Sequence, residues 1–306
     1  MTDLHDHGPA AAGMAAAERA PGTAVITGAS AGVGKAAAAQ LLQRGWRVIG
    51  TGRDGKRCAE AARTLSQGAQ ARFTMLQADL ADMDAVADLA GKIAAIAPRI
   101  DLLCNNAGGV TAERRITPQG LEETFAANHL APFLLTRLLM PQLAPGARVI
   151  ATSSDGHAHC PGIAWDDPGM AGNWLSGRAY CQAKLANILF TRELARRHGD
   201  AIVAHALHPG NVDSNFASHC EPGMKAYMEQ IRPQSISPED AAVALVRLGT
   251  DVAAGQSNGR YFEGLKEARP SSAAQDGEAA ARLWALSEAL LTRYLPRDSA
   301  TMRNSS

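Results

Sequence analysis

TAVITGASAGVGK, residues 23–35, decides the architecture of this chain. Its first six residues form a short apolar run that reads as a strand, and the Ala/Leu-rich stretch 33–44 reads as a helix. A glycine-rich turn joins the two. In that context a run of small residues points backbone N–H groups at a helix N-terminus, where phosphate is stabilised. Gly28, Gly32 and Gly34 read as serving the tight turn, the backbone's approach to a pyrophosphate and close helix–strand packing. Ser30 and Val33 belong to the same candidate cofactor-binding loop. The spacing is G-x-x-x-G-x-G rather than G-x-G-x-x-G. A Walker A loop is excluded: the residue five before Gly34 is Ala29, and Lys35 is followed by Ala36.

Outward from this turn, β-rich runs alternate with helical stretches, the pattern of an α/β fold with a Rossmann-type, doubly wound parallel sheet in a single domain. Strands are expected at 23–28, 46–52, 73–79, 100–106, 147–153, 202–208 and 260–264. Helices are expected at 33–44, 84–97, 121–143, 180–198, 238–249 and 277–292. The helix near 238 has a clear start: Ser237 can cap it, Pro238 suits its first turn, and Glu239 and Asp240 favour its positive end. Two segments fit no repeat of the pattern, 155–179 and 211–236. Both follow strands at the end where α/β folds bind ligands, which makes them candidates for a substrate wall.

The chain has 306 residues, 46% hydrophobic and 20% charged, with a formal net charge of zero. That neutrality gives no electrostatic case for nucleic acid or anionic membrane as a partner. No apolar run reaches the roughly 18–20 residues of a bilayer span. The expectation is a flexible N-terminal arm over 1–21, one domain over 22–295 and a C-terminal tail over 296–306. The arm carries no basic block ahead of its alanines and reads poorly as a signal peptide. Five scattered cysteines without a C-x-x-C favour reduced thiols, a cytoplasmic setting and no metal site.

The chemistry is carried by AYCQAK. Tyr180 and Lys184 lie one helical turn apart and therefore on one face. A phenol that moves a proton, beside a cofactor that moves a hydride, means carbonyl–alcohol redox chemistry. Tyrosine's ordinary pKa is about 10, and a nearby ammonium favours phenolate. Bringing it near 7 would take roughly 4 kcal/mol at about 1.36 kcal/mol per pKa unit. A solvated helix face is the alternative reading of an isolated Y-x-x-x-K.

TGASAGVG, ADL (78–80), NNAG (105–108), Asn128 within FAANHLAPFLLT, TSS (152–154), YCQAK (180–184) and HPGNVDS (208–214) occur in one order. In that order and spacing the chain resembles the short-chain dehydrogenase/reductase family over roughly residues 22–292. SSDGH, AYCQAKLANILFTREL and LWALSEALL look most like its retinol-dehydrogenase-like branch. The resemblance implies Tyr180 as acid/base, Lys184 also holding the nicotinamide ribose, and Ser154 hydrogen-bonding the substrate oxygen, with Ser153 the competing assignment. It places Asn128, four residues before Pro132, among the catalytic residues: the proline leaves the carbonyl of residue 128 free to hold a water that, by the resemblance, relays protons to Lys184, an ordinary proline kink with a solvated Asn being the alternative. Asp79 and Leu80 match the contact to adenine, Asn106 lies beside the adenosine, and Val212 and Ser214 match the segment that grips the nicotinamide amide. Ser214 stands where the family often has Thr, and the N-terminal membrane anchor of several branch members is absent. Family members often pair through two long helices, here 121–143 and 180–198, which implies a homo-oligomer. His157 and His159 form an H-x-H without a third ligand at sensible spacing, so a substrate-pocket or structural role is expected.

Cofactor choice turns on the end of the second strand, RVIGTGRD. The position resembling the acid that selects NAD(H) is Gly52, and Arg53 follows, suited to a 2′-phosphate. NADP(H) is therefore favoured over NAD(H). Asp54 is the competing candidate: it lies 20 residues past Gly34 and would select NAD(H) if the strand ran two residues further. The combined expectation is an NADP(H)-preferring oxidoreductase acting on a small hydrophobic alcohol or carbonyl compound. An NAD-linked dehydrogenase and a non-catalytic nucleotide sensor are the alternatives. Trp165, Met170 and Trp174 in the first irregular segment, and Phe216, Met224, Tyr227 and Met228 in the second, are expected either to pack structurally or to line an apolar pocket.

Overall fold

The computed structural model describes residues 17–67, 72–213 and 220–296. Strands β1 (Thr23–Ile26), β2 (Arg47–Gly52), β3 (Phe73–Gln77), β4 (Ile100–Asn105), β5 (Leu143–Thr152), β6 (Ile202–His208), β7 (Arg260–Glu263) and β8 (Lys266–Ala268) form one sheet. Its order is β3-β2-β1-β4-β5-β6-β7-β8. Neighbours from β3 to β7 pair in parallel, and β8 closes the edge antiparallel to β7. The order reverses between β1 and β4, and the crevice outside their carboxyl ends is where such sheets bind ligands.

Each face of the sheet carries its own apolar core. Helices α1 (Gly32–Gln43) and α8 (Pro238–Thr250) cover one face, with Leu41, Leu245 and Trp46 buried against Ile26 and Leu102. Helix α3 (Met83–Ile96), α5 (Ala131–Leu139), α6 (Ser176–His198) and α10 (Gly277–Leu290) cover the other through Ile93, Phe133, Phe190 and Trp284. Strands sandwiched in this way are apolar on both sides, which is why β4 is buried along its whole length. Ser237 caps α8 as its sequence suggests, accepting from the Asp240 N–H at 3.0 Å.

Several elements depart from the sequence expectation. Helix α2 (Gly55–Leu65) was not expected; it buries only Cys58 and Ala61, so its apolar stripe is too narrow to stand out. The helix expected at 121–143 is α4 (Glu123–Phe125), a π-helical turn (Ala126–Leu130) and α5, followed by a 3₁₀ turn (Met140–Gln142). Pro132 cannot donate to the residue 128 carbonyl, and just upstream the Ala131 N–H reaches Ala126, five residues back. Strand β5 starts at Leu143, with a register irregularity before Leu102 pairs Arg148. The second irregular segment contains α7 (Pro222–Ile231).

The arm expected over 1–21 is docked at its end. Among the described residues, Val252 N–H donates to Ala17 and Arg19 N–H to Thr250, both at 2.8 Å. Its preceding residues, and most of the expected tail, lie outside the described residues.

Candidate active site

The cradle begins with Thr27, which sequence reading passed over. Its hydroxyl accepts from the Asn106 and Ala107 N–H groups, both at 2.9 Å, and donates to the Cys104 carbonyl. The Asn106 amide in turn donates to the Thr27 carbonyl at 2.9 Å. The turns after β1 and β4 are thereby locked together at the reversal of strand order. Gly34 is required by packing: a Cβ there would lie 2.5 Å from the Gly28 carbonyl oxygen. Gly32 has φ +53° and open space where a Cβ would point, so it leaves the mouth of the turn clear for a ligand.

From this turn a cleft of about 1440 Å³ runs across the carboxyl ends of the strands. Gly28, Ser30, Gly32 and Val33 line one wall, and Asp79 and Leu80 stand at the end of β3. Asn106 and Asn128 line its middle, followed by Ser154, Tyr180 and Lys184, and then by Val212 beyond β6. Val212 bridges to Ile236, which holds the chain after Gly210 beside the cleft. Gly34 lies behind the turn, and Ser214 lies outside the described residues.

The two serines at the end of β5 point to different places. Ser153 is buried and its hydroxyl donates to the Lys184 backbone carbonyl at 2.7 Å, fastening the strand to α6. Ser154 lines the cleft, accepts from the Gly156 N–H and donates to Asp155. The Lys184 ammonium is buried, donates to the Thr152 carbonyl at 3.0 Å and lies 5.4 Å from the centre of the Tyr180 ring. Burial pushes its pKa down to about 8. Burial also raises the Tyr180 phenol above its ordinary value, and hydrogen bonding with Ser154 works against that rise. The expected depression of the phenol toward neutrality by Lys184 is therefore not met. At neutral pH the phenol keeps its proton, which is the donor form needed to reduce a carbonyl.

Asn128 is buried, and its side chain grips the loop after β4 at two points. It accepts from the Gly109 N–H and donates to the Gly109 carbonyl, both at 3.0 Å, and donates to Thr124 at 2.8 Å. A side chain at Gly108 would lie 2.6 Å from the Asn128 oxygen and 2.9 Å from the Lys184 nitrogen. NNAG therefore ends in glycine because the asparagine and the lysine converge over that residue.

At the far end of the cleft β2 stops at Gly52. A Cβ on Gly52 would lie 2.7 Å from the Ser30 hydroxyl and 2.9 Å from the Cys58 sulfur, so an acidic side chain has no room there. Asp54 is the N-cap of α2, accepting from the Arg57 N–H at 2.8 Å, and that bond holds its carboxyl below the usual range. Arg53 lines the cleft, with its guanidinium 3.9 Å from Glu123. Arg57 and Arg115 line it as well, and sequence reading missed both. Arg57 was legible in principle: it follows the N-cap Asp54 in the first turn of a helix leaving this corner.

The irregular segments divide. Trp174 donates to the buried Glu122 carboxylate at 3.1 Å, and Trp165 packs against the core with Arg282 4.5 Å above its ring. Neither residue, nor Met170, lines the cleft, so the structural reading holds for the first segment's large side chains. In the second segment Met228 and Ile231 line the cleft. Phe216 and the Met224 and Tyr227 side chains lie outside the described residues. Of the H-x-H pair, His159 lines the cleft while His157 is buried behind Ser154.

Comparison with known proteins agrees with this geometry. Residues 22–225 match the family model described as short chain dehydrogenase. Human retinol dehydrogenase 13 (Homo sapiens) is 37% identical over 293 residues, covering 90% of this chain and 86% of the relative. The crystal structure of an uncharacterized protein from Mycobacterium paratuberculosis superposes with a TM-score of 0.70 at 32% identity, covering 90% of this chain and 95% of the other. A short chain dehydrogenase from Burkholderia cenocepacia J2315, solved in complex with NADP, superposes at 0.63 with 25% identity, covering 83% and 97%. The chain belongs to the short-chain dehydrogenase family, in its retinol-dehydrogenase-like branch, and is an NAD(P)-dependent oxidoreductase.

Proposed function

We propose that this enzyme interconverts a hydrophobic alcohol and its aldehyde or ketone and prefers NADP(H). The observation that carries the reading is the convergence of Ser154, Tyr180 and Lys184 on one cleft continuous with the glycine turn. The nicotinamide supplies or takes up the hydride at carbon. In reduction Tyr180 gives its phenolic proton to the carbonyl oxygen, while the Ser154 hydroxyl hydrogen-bonds that oxygen and orients it. Lys184, ammonium below about pH 8, holds the ribose hydroxyls and favours the phenolate left after proton transfer. Asn128 fixes the Gly108–Gly109 loop beside the lysine. Asp79, Leu80 and Asn106 would border the adenosine, and Val212 the nicotinamide amide. The catalytic unit is residues 22–295, and its five scattered cysteines, with no C-x-x-C spacing, support a cytoplasmic setting.

NADP(H) preference is supported by the lack of room for an acid at Gly52, by the use of Asp54 as a helix cap, and by Arg53 and Arg57 lining that corner. A relative solved with NADP points the same way. An apolar substrate is supported by the name of the human relative and by Met228 and Ile231 on the cleft wall. The test is consumption of NADPH and of NADH by the purified protein across a panel of aliphatic and aromatic aldehydes and ketones. Faster turnover with NADPH, rising with substrate hydrophobicity, is expected. Preference for NADH, lost in Asp54→Ala, would establish the NAD-linked alternative, and inertness toward the whole panel with both cofactors would favour a nucleotide sensor.

A further inference from the structure

His157 stands directly behind the serine that faces the substrate. It is 3% exposed, and its ring meets three different parts of the fold. On one side Nδ1 lies 2.7 Å from the Ser154 carbonyl oxygen, and the His157 main-chain N–H donates to that same oxygen at 3.1 Å. On the other side Nε2 lies 3.1 Å from the Ser271 N–H, at the N-cap of α9 (Ser272–Gln275). The ring also packs edge-on against Tyr261 of β7, with centroids 5.0 Å apart.

These partners fix the tautomer. A carbonyl oxygen can only accept, so Nδ1 carries the proton. A backbone N–H can only donate, so Nε2 presents its lone pair. Burial lowers the pKa of His157, which keeps the ring in the neutral form both bonds require. The imidazole thus joins the end of β5 to the cap of α9, whose Ser271 lies 114 residues beyond His157 in sequence. Ser154 itself begins a 3₁₀ turn (Asp155–His159), a class of turn that holds its backbone weakly without outside support.

We propose that His157 is a positioning residue for Ser154: by bonding the Ser154 carbonyl and the Ser271 amide it fixes the serine backbone, and so aims the hydroxyl at the substrate oxygen. This rests on the role given to Ser154 above. Displacing a substrate-orienting group by about 1 Å can cost on the order of 10²-fold in rate.

A double-mutant cycle tests it, with kcat, KM and cofactor Kd measured for wild type, Ser154→Ala, His157→Phe and the double variant. His157→Phe is expected to lower kcat on the order of 10²-fold with cofactor Kd unchanged. On the Ser154→Ala background the same change is expected to cost less than about 2-fold, because there is no hydroxyl left to aim. Equal losses on both backgrounds, or no loss on the wild-type background, would overturn the inference and leave His157 as core packing. Should His157→Phe fail to fold, Asn and Gln replace it. Asn sets an N–H near the Nδ1 position and Gln does not, so kcat is expected to be higher for His157→Asn than for His157→Gln, and equality overturns the proposal. A Ser154→Ala enzyme with undiminished kcat would sink both readings, whereas collapse in Ser154→Ala with an additive His157→Phe sinks only this one.

Discussion

Lys184 meets two opposing demands. The proposed mechanism needs its charge, while folding buries it, lowering its pKa from 10.5 to about 8. For this group the folded state is most stable above pH 10.5, loses stability as the pH falls toward 8 and bears the full cost below 8. At neutral pH that cost is roughly 3 kcal/mol at about 1.36 kcal/mol per pKa unit. Lys184→Met is therefore expected to raise Tm at pH 7 by a few degrees while abolishing turnover. The Thr152 carbonyl keeps a donor in that variant, from Asn187 at 3.1 Å. Calorimetry of the variant at pH 7 and pH 10 checks this, and the gain should shrink at the higher pH. Tyr180→Phe keeps the ring and loses the proton donor, so cofactor binding should survive while kcat falls at least ~10²–10⁴-fold; near-normal kcat would refute the proton-transfer role. Arg53→Ala should weaken NADPH roughly 10–150-fold, the value of a hydrogen bond to a charged group, and leave NADH nearly unaffected. Titration of both cofactors against the variant measures it.

Among the elements, the two irregular segments have separated into a strut and a wall. The first is tied down by Trp174, whose indole N–H joins the Thr124 and Phe125 N–H groups on the buried Glu122 carboxylate. Glu122 also starts α4, so the strut reaches the helix that carries Asn128. Trp174→Phe removes one donor from a buried charge and is expected to cost about 1.5–3 kcal/mol of stability, read by urea denaturation. KM for bulky aldehydes should stay unchanged, and a many-fold rise would return Trp174 to the substrate pocket. The wall is α7, where Met228→Ala should raise KM for bulky apolar substrates more than for small ones, with cofactor Kd constant; equal KM values across substrate size would separate α7 from substrate binding.

At the scale of the molecule, α10 decides which surface is left open. Trp284 is buried with its ring centre 4.9 Å from Phe133 on α5 and 6.0 Å from Phe190 on α6, and Arg137 pairs with Glu288. This helix lies against the two elements through which the family resemblance implied pairing of copies. The protein is therefore expected not to pair through α5 and α6, and light scattering together with cross-links engineered on those helices would check it. Trp284→Ala should cost about 3–5 kcal/mol as a core truncation; a loss below 1 kcal/mol in chemical denaturation would mean that α10 is only loosely attached.

Much of this was readable from residue order alone. The alternation of strands and helices, the glycine turn and the Tyr180–Lys184 spacing are local patterns, and local backbone geometry enforces them over a few residues. Among the elements that sequence reading missed or misjudged, several have a short or narrow signal: α2 with its two buried side chains, the three-residue β8, and the helix divided near Pro132; α7, inside a segment read as irregular, was missed as well. The resemblance favoured Ser154 over Ser153, and tertiary structure supplied the physical difference, Ser153 turned toward α6 and Ser154 into the cleft, because identical neighbours differ only in what lies opposite them. It alone assigned Asp54 to a helix cap, closed Gly52 to an acid, drew Trp174 out of the pocket and set His157 between Ser154 and Ser271. The physical reason is common to all of these. The sequence fixes what a residue can do within its own turn or strand, whereas the partner that uses a hydroxyl, a carboxylate or an imidazole comes from elsewhere in the chain, brought close only when both faces of the sheet are packed.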